Sequence, residues 1–172
     1  MMAPISLDAL NKIPPQDFVE VLGGVFEHSP WVAQGVVELR PFQSVQALHQ
    51  AMVACIADAG HKAQLSLIRA HPELAGKAAV KGELTADSAS EQTGAGLDQC
   101  TPQEFAHLTA LNQAYREKFG FPFIIAVRGL DRSRIIQAFE RRLGRDYDEE
   151  FAECLTQIYT IGELRLQAVL TT

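Results

Sequence analysis

Thr101-Pro102-Gln103-Glu104-Phe105-Ala106-His107-Leu108-Thr109-Ala110-Leu111-Asn112-Gln113-Ala114-Tyr115-Arg116-Glu117-Lys118-Phe119 is the stretch that decides the fold class. Phe105, Leu108, Leu111 and Tyr115 recur at three- and four-residue steps, which places apolar side chains on one stripe of an α-helix. The start of that helix is also written locally. Thr101 can cap it, Pro102 suits the first helical position, where its missing N–H costs nothing, and Glu104 can reach back as a capping box. Tyr115-Arg116-Glu117-Lys118 reads as a solvated helix face.

Working outward, the same spacing recurs. Val45, Leu48, Met52 and Ile56 mark a helix that Gly60 can end; Ile135, Ile136, Phe139 and Leu143 mark one that stops before Gly144. From about Asp148 to Leu170, a last helix carries Phe151, Leu155, Ile158, Gly162 and Val169 along one stripe, with Arg165 on it. Shorter helices are expected near Asp17 to Phe26 and Trp31 to Leu39, split by His28-Ser29-Pro30. No strand-period alternation of useful length occurs. Phe121-Pro122-Phe123-Ile124-Ile125-Ala126-Val127 alone reads as extended, because Pro122 biases Phe121 away from helix. The expectation is an all-α, single-domain bundle of about eight or more helices spanning residues 1–172.

Composition supports one such unit. The chain has 172 residues, 47% hydrophobic and 21% charged, which is ordinary globular usage rather than the signature of disorder. A net charge of −6 gives nucleic acid no general electrostatic reason to bind. Cys55, Cys100 and Cys154 are odd in number and widely spaced, so they read as buried apolar residues or free thiols of a reducing compartment. Met1 to Asp8 lacks the basic and apolar regions of a secretory leader, no apolar run approaches membrane-spanning length, and Val169-Leu170-Thr171-Thr172 is not a peroxisomal address. A cytoplasmic protein with no membrane partner is expected.

Ala75 to Cys100 differs in character. Gly76, Gly82, Gly94 and Gly96, with a polar stretch from Thr85 to Thr93, interrupt the apolar periodicity, and a long weakly apolar insert is where a site is sought. Ser88, Glu91 and Gln92 stand at i, i+3 and i+4, so a helix here presents hydroxyl, carboxylate and amide to one volume. Ser88-Ala89-Ser90-Glu91 also reads as a capping box in which Ser88 is the cap.

Just upstream, His71 precedes Pro72, which forces it toward an extended conformation at a helix boundary. A histidine there can act as general acid or base near neutrality, or can simply be a surface or capping residue. His28, His49, His61 and His107 lack partners that would complete a constellation. Arg165 on an apolar stripe requires a partner or a cavity: a core-facing carboxylate, a snorkelling path, or a pocket for an anionic ligand. Glu104-Phe105-Ala106-His107 matches half of a helical di-iron motif, but the required second copy is missing, and no zinc-protease, P-loop or dinucleotide sequence occurs. No metal site is expected.

Taken together, these segments resemble the 2-oxo-4-hydroxy-4-carboxy-5-ureidoimidazoline (OHCU) decarboxylase family. The resemblance runs through Phe26-x-x-Ser29-Pro30-Trp31, Leu67-Ile68-Arg69-Ala70-His71-Pro72-Glu73-Leu74-Ala75-Gly76, Leu84-Thr85-x-x-Ser88-x-x-Glu91-Gln92, Leu111-Asn112-x-x-Tyr115-x-x-Lys118-Phe119-Gly120-Phe121-Pro122-Phe123-Ile124 and Gly162-Glu163-Leu164-Arg165-Leu166. It implies an all-helical fold, usually a homodimer, that needs no cofactor and converts OHCU to (S)-allantoin and carbon dioxide in urate catabolism. By the resemblance, His71 and Glu91 are the catalytic pair. Ser88 and Gln92 hydrogen-bond the substrate, and Pro72, Phe121, Phe123, Ile125 and Arg165 complete the pocket. It further implies that Phe121 to Val127 enters a helix soon after Pro122, and that a helix beginning at Ser88 would turn its N–H donors toward an anion. Two other readings stay open at this point: a helical binding module that has lost activity, and a lyase or hydrolase acting on a related ureido compound.

Overall fold

The computed structural model describes residues 3–171; Met1, Met2 and Thr172, which belong to the termini read above for targeting signals, lie outside the described residues. Ten α-helices and two short 3₁₀ turns account for the regular structure among them, beside a single pair of two-residue strands. The fold is all-α. No helix among the described residues is long and apolar enough to cross a membrane. The chain forms two compact units, residues 1–70 with 159–172, and residues 71–158.

In the first unit, β1 (Ile5–Ser6) leads into α1 (Leu7–Leu10), α2 (Pro15–Leu22) and α3 (Trp31–Val36), which a 3₁₀ turn at Val37–Leu39 extends. Then come α4 (Val45–Asp58) and α5 (His61–Ala70). The Ser44 hydroxyl caps α4 by accepting the Ala47 N–H at 2.9 Å, and Leu48, Met52 and Ile56 are its buried stripe, as the spacing predicts. The helix expected to reach Phe26 stops at Leu22 instead: Gly23-Gly24 follows, and two glycines forfeit backbone entropy that a further turn would have to overcome. The last turns of α10 (Tyr147–Val169) and β2 (Leu170–Thr171) complete this unit, with β2 pairing parallel to β1. Phe26 packs against α10 at Gly162, where an added Cβ would come within 2.6 Å of the ring.

The second unit holds α6 (Lys77–Val80), α7 (Ala86–Gly94), a 3₁₀ turn at Leu97–Gln99, α8 (Pro102–Phe119), α9 (Arg132–Leu143) and the start of α10. The capping box of α8 forms as read: the Glu104 N–H donates to the Thr101 hydroxyl at 3.1 Å and the Thr101 N–H to the Glu104 carboxylate at 2.9 Å. Leu108, Leu111, Asn112, Tyr115 and Phe119 are the buried face of α8.

A charged centre inside this unit was not foreseen. Arg142 and Glu150, 2% and 0% exposed, pair at 2.8 Å, and the Tyr115 hydroxyl donates to the same Glu150 oxygen at 2.6 Å. Burial, above all, drives the Tyr115 hydroxyl far above the ordinary tyrosine range, so it stays a donor. Arg142 also donates to the Ile124 carbonyl at 2.7 Å and lies over the Phe123 ring, which stacks on Phe139 with centroids 3.9 Å apart.

This centre explains a departure from the family expectation. Residues 122–127 do not enter a helix. Pro122 disfavours helix at Phe121, and side chains claim backbone groups that a helix would use: Arg142 takes the Ile124 carbonyl, and Gln157 accepts the Ala126 N–H at 2.9 Å. The segment is neither helix nor strand, so the helical expectation fails.

Candidate active site

Helix α5 ends at Ala70 because Pro72 cannot continue it, and the chain turns through His71-Pro72-Glu73-Leu74-Ala75-Gly76 before α6. His71, Leu74 and Ala75 are buried, so a segment without regular structure must satisfy its peptide groups from side chains. The Gln92 amide does so at two points, accepting the Ala75 N–H at 3.0 Å and donating to the Glu73 carbonyl at 3.3 Å. Asn112 of α8 donates to the Leu74 carbonyl at 2.9 Å, and Arg116 pairs with the Glu73 carboxylate at 2.6 Å. Ala75 sits at φ +51°, a left-handed conformation that L-residues adopt at a cost of about 1–2 kcal/mol.

Gln92 belongs to α7, whose cap is Thr85 rather than Ser88: the Ser88 N–H donates to the Thr85 hydroxyl at 3.3 Å. The expected Ser88 cap is therefore displaced by one turn, since Thr85 offers the same hydroxyl chemistry directly before Ala86. With α7 starting at Ala86, Ser88 is its third residue, and the helix N-terminus expected at Ser88 is not there. Ser88, Glu91 and Gln92 still share a face; Ser88 and Gln92 are buried and Glu91 is half-buried.

The second unit thus contains His71, Pro72, Ser88, Glu91 and Gln92, and Gln92 ties the helix face to the loop. It also contains Phe121, Phe123 and Ile125. The rings of Phe121 and Phe123 are committed to the aromatic core, Phe121 against Tyr115, Phe119 and Tyr147, and Phe123 against Phe139. Ile125 is half-buried. Arg165 lies in the first unit, where its guanidinium meets the Glu27 carboxylate at 2.8 Å, both side chains being under 5% exposed, and approaches the Gly24 and Val25 carbonyls. A core-facing carboxylate is the partner the apolar stripe demanded.

A cleft of about 520 Å³ is lined by Ala75, Val80, Leu84, Ala89, Gln92 and Phe105 among others. Neither His71 nor Glu91 lines it, so its size does not make it the seat of the chemistry. Glu104 is occupied by Thr101 and Arg132, and His107 lies 3.2 Å from Glu140. Among the described residues, His, Cys, Asp and Glu side chains nowhere gather into a metal-holding group.

Glu27, Asn112 and Gln157 escaped sequence reasoning as positioning groups. For Asn112 a signal existed: it falls on the buried stripe of α8 between Leu108 and Tyr115, where a primary amide must have a buried partner. Glu27 and Gln157 carried none.

A family model described as OHCU decarboxylase matches residues 11–167. A 2-oxo-4-hydroxy-4-carboxy-5-ureidoimidazoline decarboxylase of Haloferax volcanii is 39% identical over 165 residues, covering 96% of each chain. The uric acid degradation bifunctional protein PucL of Bacillus subtilis is also 39% identical, over 96% of this chain and 33% of its own. Among solved structures, the crystal structure of (S)-allantoin synthase superposes with a TM-score of 0.81 at 27% identity, covering 98% of this chain and 55% of that one. With a family match from residue 11 to 167 and a relative aligned along nearly its whole length, the chain belongs to the OHCU decarboxylase family.

Proposed function

We propose that this chain converts OHCU to (S)-allantoin and carbon dioxide in urate degradation, with His71 and Glu91 as the acid–base pair. The observation that carries the site assignment is the tie between α7 and the His71 loop: Gln92, one residue beyond Glu91, bonds Glu73 and Ala75. Family membership carries the reaction.

The substrate supplies its own electron sink. Its carboxylate and hydroxyl share a ring carbon beside a C=N bond, so the electron pair left by departing carbon dioxide moves into that bond and the ring nitrogen takes a proton. The resulting enol collapses to a carbonyl as its hydroxyl loses a proton, and a proton added to one face of the neighbouring carbon sets the (S) centre. The protein's contribution is orientation and proton transfer. His71, buried and restricted in its backbone by Pro72, is the group beside the carboxylate and hydroxyl. Glu91 exchanges the second proton, and Ser88 and Gln92 bond the polar ring. Pro72, Ile125 and the segment carrying Phe121 and Phe123 shape the pocket. The working form is a cytoplasmic homodimer, as the resemblance implies.

Steady-state turnover of freshly generated OHCU by His71→Ala and Glu91→Ala tests the assignment. Each folded variant is expected to lose about 100-fold or more in kcat. Near-wild-type kcat in either would remove that residue from the chemistry.

A further inference from the structure

Residues 73–75 belong to no helix or strand, yet three successive residues are each held by a buried side-chain amide. The Glu73 carbonyl accepts from Gln92 at 3.3 Å, the Leu74 carbonyl from Asn112 at 2.9 Å, and the Ala75 N–H donates to Gln92 at 3.0 Å. Gln92 and Asn112 are 6% and 5% exposed, so both amides have given up water to make these bonds. The Asn112 Oδ1 atom finds no hydrogen-bond partner among the described residues, leaving the donation to Leu74 as the only hydrogen bond of that amide among them. The clamp also holds Ala75 at its positive φ, a conformation the local sequence would not choose.

Between this clamp and His71 stands only Pro72. The proline ring fixes its own φ near −65° and confines the residue before it to extended backbone, so few soft dihedrals separate the fixed peptide groups from the His71 Cα. Whatever fixes Glu73 to Ala75 therefore aims the imidazole.

We propose that Asn112 is a positioning residue for His71: by holding the Leu74 carbonyl alongside the Gln92 clamp, it sets the orientation from which His71 transfers its proton, without touching the reacting atoms. This inference rests on the reading of His71 as catalytic. Gln92 has the double duty of contacting substrate and fixing the loop; Asn112 has only the second.

Asn112→Leu is nearly isosteric and replaces the amide with an apolar group, so the donor to Leu74 is lost. Its kcat is expected to fall by about 10- to 100-fold, the usual consequence of misplacing a catalytic group by roughly an ångström, with KM changed by less than about two-fold. The enantiomeric excess of the allantoin, corrected for the spontaneous reaction, should fall with it, whereas a merely structural role would lower the melting temperature and leave kcat and product chirality alone. A folded Asn112→Leu with wild-type kcat and chirality overturns the proposal. Should that variant fail to fold, Asn112→Ser, which shortens the side chain out of reach of the Leu74 carbonyl, decides by the same readings: a lowered kcat and enantiomeric excess with KM little changed are expected, and wild-type values of both would overturn the proposal. His71→Ala in the same assay separates the two levels. If it is inactive while Asn112→Leu is normal, only the positioning role fails; if it turns over normally, the reading of His71 fails and takes the inference with it.

Discussion

The Arg165 guanidinium meets the Glu27 carboxylate at 2.8 Å with both side chains buried, so the arginine on the apolar stripe of α10 is compensated within its own unit. Breaking such a pair from one side strands a charge in a low-dielectric interior, at a cost of about 3–5 kcal/mol. Glu27→Ala should lose that much stability in urea unfolding. An unchanged midpoint would mean that the Arg165 charge is balanced elsewhere.

The same reasoning applies to Arg142 and Glu150, with a graded outcome. Arg142→Ala removes the ion-pair partner, the donor to Ile124 and the cation over Phe123, and should cost about 3–5 kcal/mol. Tyr115→Phe removes one donor and leaves Glu150 paired, so about 1.5–3 kcal/mol is expected. Chemical denaturation of the two variants checks the order; equal losses would contradict the shared network.

Gly162 is required by a neighbour rather than by its dihedrals. An added Cβ would lie 2.6 Å from two atoms of the Phe26 ring, itself 2% exposed. Gly162→Ala should destabilise by about 1–3 kcal/mol despite the better helix propensity of alanine. A raised melting temperature would show that the ring can move.

Acid should loosen the start of α8. The Thr101 N–H, then Arg132, holds the Glu104 carboxyl below its ordinary value of 4.5. A depressed folded pKa stabilises the fold above that value, and the contribution is lost as pH falls through the folded pKa. Between about pH 6 and about pH 3 the wild type should therefore lose more stability than Glu104→Gln. Parallel losses would contradict the capping role.

Most of the helices were legible because each rests on local rules. The α8 capping box and the stripes of α4, α9 and α10 are written in spacing and turn chemistry alone. The departures arise where side chains from distant positions decide. Nothing local in Phe121 to Val127 says that Arg142 and Gln157 will take its backbone groups, and nothing in Ser88 says that Thr85 will cap first. At the candidate site the residue types and their shared face on α7 could be read. The amides that hold the His71 loop could not, because Gln92 and Asn112 reach it from 17 to 38 residues away.

The central claim is the reaction, and product chirality tests it most directly. Freshly generated OHCU, mixed with the purified chain and followed by ultraviolet absorbance and circular dichroism, should decay faster than the spontaneous rate and yield (S)-allantoin. Racemic allantoin formed at the spontaneous rate would contradict the account.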